Sequence, residues 1–185
     1  LGTLDSGKFG EWGAEDVAET TTLNLDYQSR KKLVNENLEK LTHFRALEEL
    51  HLNNLDTNSE HLKPIGKLSN LKRLNLHATE IDDDGLAHLA ELKLTYLRIS
   101  ATNVKGPGFA HLAEMVTLEE LILEYLKDLQ DDGLAHLGKL INLTRPDVSE
   151  TRLAGATIGS FPSLVYLKAR STPLTDEAHG RSMAT

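Results

Sequence analysis

Residues 71–93, LKRLNLHATEIDDDGLAHLAELK, contain a pattern of leucines that recurs along most of the chain. The steps between successive units are 24, 23, 24, 25 and 21 residues, and the units begin at Leu47, Leu71, Leu94, Leu118, Leu143 and Leu164. A recurring L-x-x-L-x-L-x-x frame with a period in this range is typical of a solenoid, because no single unit can bury its own apolar face. We therefore expect stacked units that share one continuous core.

The unit at 71–93 predicts a strand, a turn and a helix in that order. Leu74 and Leu76 alternate with polar residues, as in a strand with one buried face. Ile81 closes the turn, and the aspartates at 82–84 supply N-cap and first-turn carboxylates that the helix dipole favours. The helix then turns one apolar face back to the strand through Leu86, Leu89 and Leu92.

The two ends of the chain depart from this frame. Residues 1–19 carry five acidic residues against one lysine, and we expect an N-terminal cap or an acidic linker in which Trp12 covers the open end of the core. Residues 20–185 form the array, with an irregular first unit, an insertion at 29–37 and a truncated last unit. The strand and helix of that first unit are predicted from Leu23, Leu25, Leu38, Leu41 and Phe44. Because the chain begins at Leu1 and ends within a unit, we expect it to be part of a longer protein.

From residue 20 to about residue 178 the pattern resembles the leucine-rich repeat family, and within it the bacterial form L-x-x-L-x-L-x-x-T-x-I-x-D-x-G-L-x-x-L-x-x-L. The resemblance implies an α/β leucine-rich-repeat solenoid, a right-handed superhelix of about seven units. It places a parallel sheet on the concave face and helices on the convex face, and it suggests a bacterial source by analogy. It also implies that a threonine hydroxyl bonds the turn backbone at Thr79, Thr102, Thr151 and Thr172. Leu55 and Leu126 replace that threonine, so we expect those two turns to differ.

Two further departures concern prolines. Pro146 takes the place of an inward-facing strand leucine, and because it cannot donate to a sheet ladder we expect a local break or kink there. In the fourth unit KGPGF replaces the acidic helix start, which predicts Pro107 near the first helical turn.

The composition limits the functional classes. Hydrophobic residues make up 39% and charged residues 26% of the 185 residues, and no apolar run reaches the roughly 18 residues of a membrane span. The net charge of −8 argues against nucleic acid as a partner. The chain has no cysteine and no signal segment, which favours the cytoplasm while leaving the compartment open. We expect a monomer that needs no cofactor.

The histidines invite a metal hypothesis. His88, His111 and His136 occupy the same helix position in three consecutive units. Zinc needs ligand nitrogens about 2 Å from one ion, whereas packed helices lie about 8–10 Å apart, so we interpret the row as a duplicated surface residue. The aspartates of IDDDGL lack the spacing of a calcium-binding loop. No nucleophile elbow, carboxylate pair or phosphate-binding loop is present, so the sequence predicts neither a metal site nor an enzyme.

The predicted concave face carries the candidate binding residues. Its outward strand positions hold five cations and five anions, so this face is neutral. Neighbouring strands would place Glu49 opposite Arg73, Glu120 opposite Arg145 and Asp147 opposite Lys168. One interpretation is self-pairing across strands, and the other is a binding patch centred on Tyr96, Arg98 and an exposed Ile122. The candidate partner-binding residues are His51, Arg73, His77, Tyr96, Arg98, Glu120, Ile122, Glu124, Arg145 and Lys168.

The sequence therefore predicts a non-enzymatic protein–protein interaction module, or scaffold, that binds a protein partner on its concave sheet. An alternative is the recognition or regulatory arm of a larger enzyme of kinase or ubiquitin-ligase type, whose catalytic part lies outside this chain. A third possibility is a structural spacer.

Overall fold

The fold is a stack of parallel strands joined by short helical turns. A computed structural model describes the backbone of residues 2–4 and, in full, residues 17–25, 38–154, 163 and 165–174. Within these residues seven strands form one parallel sheet in sequence order, with each strand beside the next. The strands are β1 (Gly2–Leu4), β2 (Thr20–Asn24), β3 (Glu49–His51), β4 (Arg73–Asn75), β5 (Tyr96–Arg98), β6 (Glu120–Ile122) and β7 (Arg145–Asp147).

The return segments are short mixtures of 3₁₀ and α turns. The α turns are Leu62–Ile65, Asp83–Leu86 and Asp131–Ala135. The 3₁₀ turns are Lys40–His43, Ser59–His61, Ala87–Leu89, Pro107–Leu112 and His136–Lys139. Apolar residues in these segments recur every three residues, which matches the three residues per turn of a 3₁₀ helix. The prediction that Pro107 lies in the first helical turn is confirmed.

The leucines of successive units stack into one core, as predicted. Leu50, Leu74, Leu97 and Leu121 are partners in register across β3 to β6, and each is fully buried. The irregular first unit joins the same core, since Leu23, Leu25, Leu38, Leu41 and Phe44 are all buried.

Pro146 lies inside β7, so the break expected at that residue is not found there. It is buried and pairs in register with Leu121. The amides of Val148 and Glu150 donate to Lys168 and Arg170 of the following unit. Pro146, two residues before Val148, has no N–H to donate to that unit. The following unit forms an isolated bridge to β7 between Asp147 and Lys168, together with these backbone bonds, so the sheet weakens one strand later than expected.

Each of the six units from Leu47 onward leaves the sheet through one residue in the left-handed conformation. These residues have φ between 52° and 60°, and they are Asn54, Ala78, Ala101, Tyr125, Glu150 and Ser171. In four of these units the next residue is the threonine of the repeat, and the hydroxyls of Thr79, Thr102 and Thr151 each donate at 2.7 Å to the carbonyl three residues earlier. Thr172 instead donates to Val148 of the preceding unit at 2.8 Å.

The turns at Leu55 and Leu126 keep the same backbone form, contrary to expectation. The preceding residues, Asn54 and Tyr125, have positive φ like their counterparts, and their amides donate to His77 and Ser149 of the next unit. Leu55 and Leu126 are buried in the core. The leucine therefore replaces a hydroxyl bond with apolar contact and leaves the turn intact.

Neighbouring units meet on the helical side through glycines and aspartates, among them Asp83 and Asp131. A Cβ on Gly133 would lie 2.4 Å from the Cα of Gly106, whereas a Cβ on Gly85 would meet the side chain of Ser59 at 2.7 Å. Asp83 accepts hydrogen bonds from three amides of the next unit, namely those of Lys105, Gly106 and Gly108. Only Asp82 of the three aspartates caps its own helix, by accepting from Gly85 N at 3.4 Å.

The division into residues 1–19 and 20–185 stays a prediction. Within the first segment, Gly2–Leu4 forms β1 and pairs with β2. Trp12, the insertion at 29–37 and the tail at 179–185 lie outside the described residues.

Candidate functional site

From β3 onward, the concave side chains form three columns that run across the sheet, with one residue of each unit in each column. β3 to β7 are only three residues long, so the strands supply the first two columns. The third column, which includes His77 and Glu124, follows the strand ends. Four residues predicted to face outward are instead buried: Asn75, Ser100, Asp147 and Ser149. The usable surface is therefore narrower than the alternation of residues predicts.

Two of the buried polar residues shape the chain locally. The Oδ1 atoms of Asn75 and Asp147 accept hydrogen bonds from the amides two residues on, of His77 and Ser149, at 3.2 and 3.0 Å. Such Asx turns bend the chain out of the strand. These two side chains thus help to end β4 and β7.

The three predicted cross-strand ion pairs are present. Arg73 Nε lies 3.1 Å from Glu49 Oε1, and Arg145 Nη1 lies 3.0 Å from Glu120 Oε1. Lys168 Nζ lies 2.8 Å from Asp147 Oδ2. Glu49 also accepts from His51 at 3.1 Å, which brings it into the site although it was not among the predicted binding residues.

A longer ionic network joins four consecutive units. Glu124 contacts Arg98 at 3.0 Å and Lys168 at 3.4 Å, and Lys168 also holds Asp147. The hydrogen bond that Lys168 donates to Asp147 is the main cause that raises the pKa of Lys168, and the charge of Glu124 adds to it. The network crosses the sheet diagonally, because Glu124 belongs to the third column and Arg98 to the second. Pairing by direct register therefore does not reveal it.

An arginine and a tyrosine pack together at the middle of the face. The guanidinium carbon of Arg73 lies 4.2 Å from the centre of the Tyr96 ring, within the range of a cation–π contact. Burial raises the pKa of the Tyr96 hydroxyl. Ile122, predicted to be exposed, is half-buried. The expected patch thus contains aromatic and charged groups, with Ile122 largely covered.

The helical side holds the three histidines of the metal hypothesis. His88 is half-buried, and His111 and His136 are exposed. Among the described residues, no group of three or more His, Cys, Asp or Glu side chains is placed to hold a metal ion. No helix in the same part of the chain is long and apolar enough to cross a membrane.

The concave face can therefore offer a fixed array of charges and aromatic rings to another molecule. Ion pairs and stacking already hold Arg73, Tyr96, Arg98 and Lys168 in place.

The chain was compared with known proteins. No family model and no curated protein sequence matches it. It is similar in structure to an internalin (inlF) from Listeria monocytogenes, with a TM-score of 0.54 and 19% sequence identity, covering 78% of this chain and 52% of that one. It is also similar to internalin C2 (inlC2) of Listeria monocytogenes, with a TM-score of 0.53 and 18% identity, covering 85% of this chain and 84% of that one. The chain thus spans about half the length of the first of these proteins, and at such identities the likeness shows a shared fold.

Proposed function

We propose that this chain, which has the leucine-rich-repeat fold, is a non-enzymatic interaction module that binds a protein partner on its concave sheet. The observation that carries the proposal is the set of half-exposed tyrosine and arginine side chains that neighbouring charges hold in fixed positions. Tyr and Arg are enriched among residues that dominate binding energy. A surface whose side chains are already ordered loses less conformational entropy on binding.

The centre of the proposed site is the group Arg73, Tyr96 and Arg98. Arg73 stacks on Tyr96, and Arg98 is held by Glu124. The side chains of Arg73 and Arg98 are 46% and 30% exposed, so both guanidinium groups reach solvent. A partner can therefore contact charged and aromatic surface together at one place.

The area of the sheet indicates how much more the partner must cover. Seven strands at about 4.8 Å spacing span roughly 30 Å, and three residues extend about 10 Å, which gives a floor of about 300 Å². A standard interface buries about 800 Å² on each partner. We propose that the partner also covers the turns at the strand ends. There Tyr125 is 48% exposed beside a cleft of about 470 Å³ that Lys105 and Lys127 help to line.

The proposal can be tested by isolating a partner with the wild-type chain and measuring the affinities of variants for it. We expect Tyr96→Ala and Arg98→Ala each to weaken binding at least tenfold, since both remove groups at the centre of the site. Arg98→Ala should stay folded, because Lys168 still pairs with Glu124. Lys139→Ala, on the helical side, is the matched control and should bind normally. Unchanged affinity in both concave variants would contradict the proposed site.

The recognition arm of a larger enzyme stays an alternative prediction. A catalytic domain encoded beside this segment in the full reading frame would favour it. The binding experiment itself does not depend on which of the two is correct.

A further inference from the structure

The first concave column repeats one order of residue types. From β3 onward, each residue pairs in register with the next along the column. Tyr166 takes the position after Arg145, since its amide donates to Thr144 just as the amide of Arg145 donates to Glu119. The column therefore contains Glu49, Arg73, Tyr96, Glu120, Arg145 and Tyr166. We name Glu49, Arg73 and Tyr96 the first triad, and Glu120, Arg145 and Tyr166 the second triad.

The two triads contain the same type of ion pair. Each contains an ion pair between glutamate and arginine, at 3.1 Å in the first triad and 3.0 Å in the second. The tyrosine comes next in register after the arginine in both, and Tyr166 is 42% exposed. The column therefore presents the same chemistry twice.

In each triad the arginine is the more accessible partner of the ion pair. Arg73 and Arg145 are 46% and 68% exposed, whereas Glu49 and Glu120 are 30% and 31% exposed. Among the described residues, Glu49 engages the Nε of Arg73 and Glu120 engages Nη1 of Arg145. A guanidinium has five N–H donors, so each arginine keeps donors that point away from its glutamate. The groups that best complement such donors are carboxylates, which arginine binds through paired hydrogen bonds.

The distance between the two arginines determines which spacing of acidic groups on a ligand can reach both of them. Arg73 and Arg145 lie three strand spacings apart, which is about 14 Å. In an extended peptide, residues four apart lie on the same side and about 13–14 Å from each other. Residues two apart also share a side but are separated by only about 7 Å. Two acidic side chains four residues apart on an extended segment thus match the two arginines.

We propose that the first concave column binds an extended acidic segment of the partner, which crosses the strands and places one carboxylate on each triad. This inference rests on the proposed function and specifies the chemistry of its ligand. Tyr96 lies between the two arginines in the column and would contact an apolar side chain in the middle of the segment, and Tyr166, which follows Arg145, would contact its end. Because the ligand meets two separate sites at once, the second contact forms at a high effective concentration.

The test uses three synthetic peptides as probes, with binding followed by backbone amide chemical shifts of the intact chain. Ac-TETVTET-NH2 has its glutamates four residues apart, Ac-TVTETET-NH2 has them two apart, and Ac-TQTVTQT-NH2 is neutral. We expect the first peptide to bind at least fivefold more tightly than the other two. Shifts should be centred on β4 and β7. Equal affinity for the two acidic peptides, or binding by none of them, would overturn the proposal.

Variants of the arginines sharpen the test. Arg73→Gln and Arg145→Gln should each weaken binding of Ac-TETVTET-NH2 about fivefold, the size of effect expected for a solvent-exposed ion pair. Arg152→Gln removes an exposed arginine outside the column and should bind like the wild type. If Arg152→Gln weakens binding as much as the column variants do, the peptide is responding to overall charge and the proposal is wrong.

The two proposals fail in different ways. Loss of partner binding in Tyr96→Ala together with no binding of any peptide would leave the concave site standing and reject only the acidic ligand. If the partner also binds Tyr96→Ala and Arg98→Ala normally, the concave site itself is rejected.

Discussion

Removing the carboxylate of Asp83 tests how the units are held to one another. Its Oδ1 accepts from Gly106 N at 3.0 Å and from Gly108 N at 2.7 Å, and its Oδ2 accepts from Lys105 N at 3.0 Å. Gly106 and Gly108 are buried, whereas Lys105 is exposed. The substitution Asp83→Ala therefore leaves two amides without an acceptor in a place that water reaches poorly.

The size of the effect follows from these bonds. A hydrogen bond to a charged group contributes about 1.5–3 kcal/mol net, and an unsatisfied buried donor costs about 1–3 kcal/mol. Asp83 is half-buried, so we take the lower end for each of the two buried amides. We expect Asp83→Ala to lower the free energy of unfolding by about 3 kcal/mol. Asp83→Asn keeps one carbonyl acceptor and should cost about half as much.

Urea unfolding followed by far-ultraviolet circular dichroism measures the change. The matched control is Asp84→Ala, the next residue in the same helical turn, which is exposed. It should stay within about 0.5 kcal/mol of the wild type, as is usual for surface substitutions. The slope of the free energy against urea should be the same in all variants, so that the midpoints report stability. If Asp83→Ala and Asp84→Ala lose the same stability, the three inter-unit bonds do not hold the units together as argued.

Three further predictions concern single positions. Gly133→Ala should lower the free energy of unfolding by about 2 kcal/mol because the added methyl meets the backbone of Gly106. Gly85→Ala should lower it by less than half as much because the methyl meets the side chain of Ser59. A larger loss for Gly85→Ala than for Gly133→Ala in urea unfolding would contradict the inter-unit packing. Thr79→Val should lower the free energy of unfolding by about 1 kcal/mol, since it removes the hydrogen bond to the carbonyl of Leu76. Thr151→Val should lower it by less, because the hydroxyl of Thr172 still donates to the carbonyl of Val148 that Thr151 also bonds. Equal losses of unfolding free energy in the two variants would contradict this reasoning. Burial raises the pKa of Tyr96, so its stabilising contribution is complete below the unfolded value near 10 and is lost as the pH rises through the folded value. Subtracting the absorbance titration at about 295 nm of Tyr96→Phe from that of the wild type should therefore give a midpoint above about 10, and a midpoint at or below it would contradict the burial.

The leucine period determined the solenoid. Units that cannot fold alone must stack, so a recurrence of 21 to 25 residues is enough to predict stacked units with a shared core, and the resemblance to leucine-rich repeats implied the parallel sheet. The alternation of residues in each unit also predicted the positions that face outward, but it did not predict that Asn75, Ser100, Asp147 and Ser149 are buried. Direct cross-strand partners followed from aligning the units, as for Glu49 with Arg73 and Glu120 with Arg145.

Only the tertiary structure decided the contacts that depend on the offset between units. The chain contains three consecutive aspartates of the same chemistry, and the stagger of neighbouring units determines that Asp83 bonds the next unit while Asp82 caps its own helix and bonds Ser59 of the preceding unit. The same holds for Glu124, which reaches Arg98 and Lys168 across different columns. Pro146 shows the limit most clearly. Pro146 belongs to β7, but the hydrogen bond that its missing N–H cannot make is one that would join β7 to the following unit. The effect therefore falls on the pairing between two units and leaves β7 itself intact.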